Sequence, residues 1–207
     1  MVKKADIPRH VIDTAMKLAA ERGWRDLSLA EIADAAKLPL SKVYPVFPSK
    51  AAILGALTRQ IDAAVLEAEV LEAEEAGARE GGAHDRLFDA LMRRFDALRP
   101  YRVALGNIVC AEAGDPASAL CGLCRLKRSM ACMLEAAGLS ASGLRGALRV
   151  KALCVAYLAT LRVFLRDDSP DMAATMAALD RNLSCLGRLA RLCSRTQYRP
   201  AGVAQET

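Results

Sequence analysis

The stretch Ser28–Lys50, SLAEIADAAKLPLSKVYPVFPSK, limits what this chain can fold into more than any other. Ser28 followed three residues later by Glu31 is a capping box. The Ser hydroxyl accepts a backbone N–H and the Glu carboxylate reaches back to the cap, so a helix is expected to begin at Leu29. Ala30, Ala33 and Ala36 keep that helix slim, and Leu38 and Pro39 break it. Ser41 to Val46 offers a short second helix, and Ser49 caps the next one. The order is that of a helix-turn-helix. Lys37, Lys42 and Lys50 lie in this stretch with no acid from Ala35 to Lys50, and a local positive surface of this kind suits a phosphate backbone.

The rest of the chain reads as helix throughout. Its apolar residues are mostly Ala and Leu, aromatic content is only 4%, and the β-branched and aromatic residues that strands favour are few, so an all-α fold of about nine helices is expected. A first helix runs from Asp6 to the Gly23 stop, with Val11, Ile12, Ala15, Leu18 and Ala19 inward and the lone Trp24 filling the core of a small head. From Ser49 a fourth helix carries Ile53, Leu54, Leu57, Ile61, Val65 and Ala68 as a buried stripe. It passes into an acidic run and a Gly-rich loop at 77–83. Further helices are expected at His84–Leu98, Tyr101–Ala113, Ala117–Ala137 and Ser140–Arg166. The last is capped by Ser169 with Pro170 in its first position, and carries Met172, Met176, Leu179, Leu183, Leu186, Ala190 and Cys193 as a packing seam. A domain seam near residue 50 divides a head, 1–50, from a body, 51–207.

Charge and cysteine usage narrow the function classes. Residues 1 to 50 carry nine Lys or Arg against six acids, so positive charge gathers around the helix-turn-helix. No apolar run reaches the length of a membrane span, and seven cysteines without an apolar leader point to reduced thiols in a cytoplasmic protein. Cys121 and Cys124 form a CxxC, but no histidine is near it in sequence. The cysteines are read as small apolar residues buried in an Ala-rich bundle, with no metal and no cofactor expected. Glu112 with Asp115, and Asp167 with Asp168, are adjacent acids at helix ends. They read as caps or solvated turns, so no catalytic set is assigned and no enzyme is expected. The body offers an apolar lining of Met92, Phe95, Tyr101, Met130, Met133, Tyr157, Leu161 and Phe164, suited to a small apolar ligand.

With these elements placed, IDTAMKLAAERGW, LSLAEIADAAKL and VYPVFPSKAAIL resemble, in order and spacing, the head of the tetracycline-repressor-like (TetR) regulators from about Ile7 through Leu57. The resemblance implies a homodimer through the last two helices, two heads on double-stranded operator DNA, and a small apolar effector in the body that alters head spacing. Carried over by position, Tyr44 and Lys50 would meet the DNA backbone, and Leu40, Ser41 and Lys42 would face the major groove. The chain departs from the family at Lys37, Leu38 and Pro39, where a Gly, an apolar residue and a capping Ser or Thr are usual, and at Pro45 inside the recognition helix. Pro45 that only ends this helix leaves Ser41, Lys42 and Tyr44 on an open surface, whereas an unwound helix removes it. A weaker likeness of VFLRDDSPDMAATMAALDRNL to TetR-fold ubiquinone-biosynthesis proteins implies the alternative, a lipid- or isoprenoid-binding protein without DNA readout. In that case Arg181, Arg188, Arg191 and Arg195 would face a membrane surface.

Overall fold

A computed structural model describes residues 6–76 and 82–195, with side chains at 69–76 and 189–195 left out. The acidic run and the Gly-rich loop at 77–83, together with Ala190, Cys193, Arg191 and Arg195 of the last helix, therefore lie wholly or largely outside the described side chains. The described residues form α1 (Ile7–Arg22), α2 (Leu29–Ala35), α3 (Leu40–Val43), α4 (Lys50–Ala76), α5 (Ala83–Leu98), a 3-10 turn (Arg99–Tyr101), α6 (Arg102–Ala113), α7 (Pro116–Ala136), α8 (Gly143–Phe164) and α9 (Ala173–Arg195). No strand occurs among them.

The head is α1 to α3 with the start of α4. The predicted inner face of α1 is buried, and Ile32, Ala33, Val43 and Phe47 close the space beneath it. α4 begins at Lys50, with Ser49 Oγ accepting the Ala52 N–H at 3.2 Å, and its stripe from Ile53 to Val65 is buried as expected. The apolar cluster continues without a break from Ile7 into the body, where Leu91, Phe95, Met130, Met133, Leu153 and Phe164 form its centre. Two polar ties join α1 to the body: Tyr101 Oη donates to Asp13 Oδ1 at 2.9 Å, and Asn107 Nδ2 donates to the Ala19 carbonyl at 2.8 Å.

α9 begins later than its sequence signals imply. Pro170 lies in a turn outside the helix, and Met172 takes a φ of 52° before Ala173 opens it. The cause is Asp167, whose buried carboxylate accepts from the N–H and hydroxyl of both Ser169 and Thr175. This closes a loop in front of the helix, and Ser169 Oγ then accepts the Ala173 N–H at 3.1 Å. The expected seam is corrected accordingly. Met172, Leu179 and Leu183 are buried, Leu186 is half-buried, and Met176 is exposed because Thr175 takes the inward position.

Burial alone would raise the Asp167 pKa, but the hydrogen bonds from Ser169 and Thr175 outweigh it and hold the carboxyl below the ordinary carboxylate range. A depressed folded-state pKa gives stability that is complete above the unfolded value of about 4 and is lost as pH falls below it. Asp167→Asn should therefore cost about 2 kcal/mol at pH 7, with the gap to wild type closing towards pH 2 in urea titrations.

Candidate functional site

The helix-turn-helix forms as its local chemistry dictates. The Glu31 N–H donates to Ser28 Oγ at 3.2 Å and the Ser28 N–H donates to Glu31 Oε2 at 2.8 Å, which completes the capping box. α2 ends in a six-residue wrap, with the Leu38 N–H on the Ala33 carbonyl at 3.0 Å and the Lys37 N–H on the Asp34 carbonyl at 2.9 Å. This motif needs a left-handed residue, and Lys37 supplies it at φ 55°. α7 ends in the same wrap with Gly138 at φ 74°. One helix uses the residue without a Cβ, and the other keeps an exposed ammonium at a conformational cost. Lys37→Gly should stabilise the head by about 1 kcal/mol in thermal or urea unfolding, and a change in the opposite direction would refute the strain argument.

Pro45 ends the recognition helix without unwinding it. α3 stops at Val43, and Tyr44 caps it with its N–H on the Leu40 carbonyl at 2.8 Å. Pro45 falls just beyond, where its missing N–H and its ring meet no continuing helix. Val43 and Phe47 are buried and anchor this turn from below, while His10 Nε2 lies 3.0 Å from the Ala36 carbonyl and ties it to α1. Leu40, Ser41, Lys42 and Tyr44 are all exposed, and Tyr44 is 58% accessible. These four residues and Lys37 share the solvent side of the motif.

Lys50 has a different setting from the other lysines. Its ammonium donates to the carbonyls of Trp24 and Arg25 at 2.9 and 3.0 Å and lies 5.3 Å from the Trp24 ring centroid. Burial lowers its pKa from the usual lysine value, opposed by the nearby Asp26 and Glu31 carboxylates. Lys50 thus closes the α1–α2 turn over the buried tryptophan.

In the body, Phe95, Met130, Met133, Tyr157 and Phe164 are buried together, whereas Met92 and Leu161 are half-buried. The Phe95 ring stacks on Tyr157 with centroids 5.1 Å apart and planes at 10°, and its centroid also lies 5.1 Å from that of Phe164. Tyr101 packs at the margin of the core, and its bond to Asp13 makes it a head–body contact as well. Burial and that carboxylate raise its phenol pKa. Two open clefts of about 490 Å³ lie elsewhere, one between α5 and α9 and one between the head and α6–α7, and the eight expected lining residues border neither.

Sequence reading missed a buried polar trio behind this aromatic cluster. Arg94 of α5 donates through Nη1 to Asp62 Oδ1 of α4, and Ser129 Oγ of α7 donates to the same oxygen at 2.7 Å. Arg94 is 5% accessible, its Cζ lies 5.4 Å from the Tyr157 ring centroid, and its Nε–H finds no hydrogen-bond partner among the described residues. The signal was present: Leu87, Leu91, Arg94 and Leu98, spaced four, three and four apart, put an arginine at a core position of α5.

The remaining chemistry is structural. Asp115 accepts from the N–H groups of Ala117 and Ser118 at the start of α7, Glu112 pairs with Arg125, and Asp168 pairs with Arg102. The expectation of buried cysteines is corrected. Cys110, Cys121, Cys124 and Cys185 are exposed, and only Cys154 is buried among those described, because α7 turns both residues of its CxxC outward. Among the described residues no three His, Cys, Asp or Glu side chains are grouped to hold a metal ion, and no helix is long and apolar enough to cross a membrane.

The described residues thus place an exposed turn carrying Lys37 and Lys42 on a helix-turn-helix head, joined to a helical body. Residues 11–57 match the family model described as bacterial regulatory proteins, tetR family. The fold as a whole is similar to a TetR transcriptional regulator from Nitrosomonas europaea, with a TM-score of 0.70 and 24% identity over 88% of this chain and 98% of that one. It is also similar to a TetR transcriptional regulator from Rhodococcus sp. RHA1, with a TM-score of 0.59 and 17% identity over 89% and 97%. A comparison with curated proteins finds no match. The head matches the tetR family model, and the chain shares the fold of these TetR regulators.

Proposed function

We propose that the chain is a transcription regulator that grips operator DNA as a homodimer, with binding or release controlled by a small apolar molecule in its body. The observation that carries this reading is the open face of α3. Pro45 ends the helix, Val43 and Phe47 hold it from below, and Leu40, Ser41, Lys42 and Tyr44 stand free on the outer side. An unwound or buried turn would have ruled DNA binding out, and the open turn instead keeps DNA readout available, so the alternative, a lipid- or isoprenoid-binding protein without it, is not favoured.

In this reading Ser41 and Leu40 meet base edges, a hydroxyl bonding an edge and a leucine touching a thymine methyl. Lys42, Lys37 and Tyr44 meet phosphates. Lys50 contributes by holding the α1–α2 turn in place, since both carbonyls of that turn already accept from its ammonium. The head, 1–50, rides on the body, 51–207, and the Tyr101–Asp13 and Asn107–Ala19 bonds link movement of α6 to α1.

The homodimer reading rests on α8. Its inner face is buried at Val150, Leu153, Tyr157 and Phe164, yet Leu144, Leu148, Val155 and Leu158 form an outward stripe in which Leu144 is 89% accessible. Exposed apolar stripes of this size mark interfaces, and a second copy supplies the same stripe.

The experiment is anisotropy titration of the protein onto labelled DNA from upstream of its own gene. Affinity should fall steeply with salt, and Lys42→Ala should weaken binding on every sequence while lowering the slope of log K against log salt by about 1 per head. Salt-independent binding, or a slope unchanged in Lys42→Ala, would sink the assignment.

A further inference from the structure

Cys121 and Cys124 stand one helical turn apart on α7, and both are exposed. Among the described residues no third metal-ligating side chain groups with them, so the chemistry on offer is that of a dithiol. Cys121 borders the cleft of about 490 Å³ between the head and α6–α7, whose head side carries Trp24, Arg25 and Lys50. An accessible thiol with a second thiol in reach is the arrangement of a redox-sensing cysteine and its resolving partner. Residues three apart on an α-helix carry Cβ atoms about 5–6 Å apart, whereas a disulfide brings them to about 4 Å. A 3-10 turn eclipses positions i and i+3 and closes that gap. Gly122 lies between the two cysteines and weakens the α-helix there, so this turn tightens more readily than its neighbours. Gly122 is also where α7 meets α6, since a Cβ built on it would stand 2.5 Å from Glu112 Oε2. Arg125, next to Cys124, pairs with Glu112 and packs beside Gly55 of α4, where a Cβ would stand 3.9 Å from Arg125 Cδ. α4 is the helix that leaves the head at Lys50.

We propose that Cys121 and Cys124 form a peroxide-sensing dithiol, whose oxidation to a disulfide tightens α7 and shifts α4 where it leaves the head. Cys121 is the attacking sulfur, because it is the one of the pair that lines the cleft. Its sulfur takes one oxygen from hydrogen peroxide and becomes a sulfenic acid, and the other oxygen leaves as water with the thiol proton. The Cys124 sulfur then attacks the Cys121 sulfur, forming the S–S bond and releasing the sulfenic oxygen as a second water. The pair loses two electrons and two protons, and one peroxide is reduced to two waters. A dithiol reductant restores the open pair by exchange. Tightening moves Arg125, and Arg125 carries the change to α6 through Glu112 and to α4 beside Gly55.

The test treats the intact, reduced chain with stoichiometric hydrogen peroxide, quenches with iodoacetamide, and follows the tryptic peptide 103–125 by mass spectrometry, since it carries Cys110, Cys121 and Cys124 together. That peptide should lose two hydrogens and keep one alkylated thiol, that of Cys110, which reads the bond in wild type without any variant. Cys110→Ser should close the bond at the wild-type rate. Cys121→Ser should slow the peroxide-dependent loss of the Cys124 thiol at least about tenfold, and Cys124→Ser should hold Cys121 as a sulfenic acid that dimedone traps. Trp24, the only tryptophan, borders the same cleft. Its emission should change on oxidation, recover with dithiothreitol, and stay constant in Cys121→Ser. A bond through Cys110 or between chains, alkylation of all three thiols after peroxide, or a wild-type rate in Cys121→Ser would overturn the dithiol. A closed disulfide with unchanged Trp24 emission would overturn its coupling to α4. None of these readouts uses DNA, so the dithiol stands or falls apart from operator binding.

Discussion

Replacing Asp62 by alanine should lower the unfolding free energy by about 3–5 kcal/mol, because it leaves the Arg94 guanidinium buried without its counter-charge. The side chains of the pair are 6% and 14% accessible, so solvent screens little of the loss. Urea denaturation followed by circular dichroism measures it. The double variant Asp62→Leu with Arg94→Met should recover most of that loss, since a buried pair replaced by apolar groups of similar size is close to neutral. A double variant as unstable as Asp62→Ala would mean that the trio stabilises the fold through more than charge balance.

In the proposed homodimer, placing carboxylates on the outward α8 stripe, as in Leu148→Asp with Val155→Asp, should raise the dissociation constant by at least roughly 100-fold, because two charges per protomer would enter an apolar contact. Both positions are more than 60% accessible in the single chain, so the fold itself should survive with an unchanged Tm at high dilution. Sedimentation velocity would then report a monomer, and operator affinity should collapse with it, since a single head contacts only half a site. A double variant that still sediments as a dimer would move the interface to another face, with Leu120 and Leu123 of α7 the next exposed apolar pair to examine.

Much of the fold was legible because its signals are local. Ser28 and Glu31 lie within one turn of each other, and Gly23 and Gly138 adopt positive φ where the helices before them end. The Ile53–Val65 stripe follows the period of a helix and is buried throughout. The candidate DNA surface was legible for the same reason: Leu40, Ser41, Lys42 and Tyr44 fall within five residues, and burial of Val43 sends the others outward.

What could not be read depended on partners distant in sequence. Lys50 was read as a DNA-backbone contact at a helix start, and the carbonyls that accept from it belong to Trp24 and Arg25, 26 and 25 residues back. Tyr101 was read as a pocket aromatic, and its hydroxyl bond to Asp13 of α1, 88 residues away, could not be seen from its own neighbours. Pro170 carried a sound helix-start signal that lost to Asp167, because a buried carboxylate with four donors outweighs one favourable φ, while Ser169 still accepts the Ala173 N–H.

The sequence alone thus determined an all-helical chain with a helix-turn-helix near its N-terminus and positive charge along it, because capping, breaking and periodic burial act within a few residues. Only the tertiary structure decided that Pro45 falls just past the end of α3, that α8 presents a bare apolar stripe, and that Arg94 meets Asp62 across 32 residues and Ser129 shares that carboxylate across 67. Burial and charge pairing between separate helices are set by how those helices pack, and no local rule carries that information.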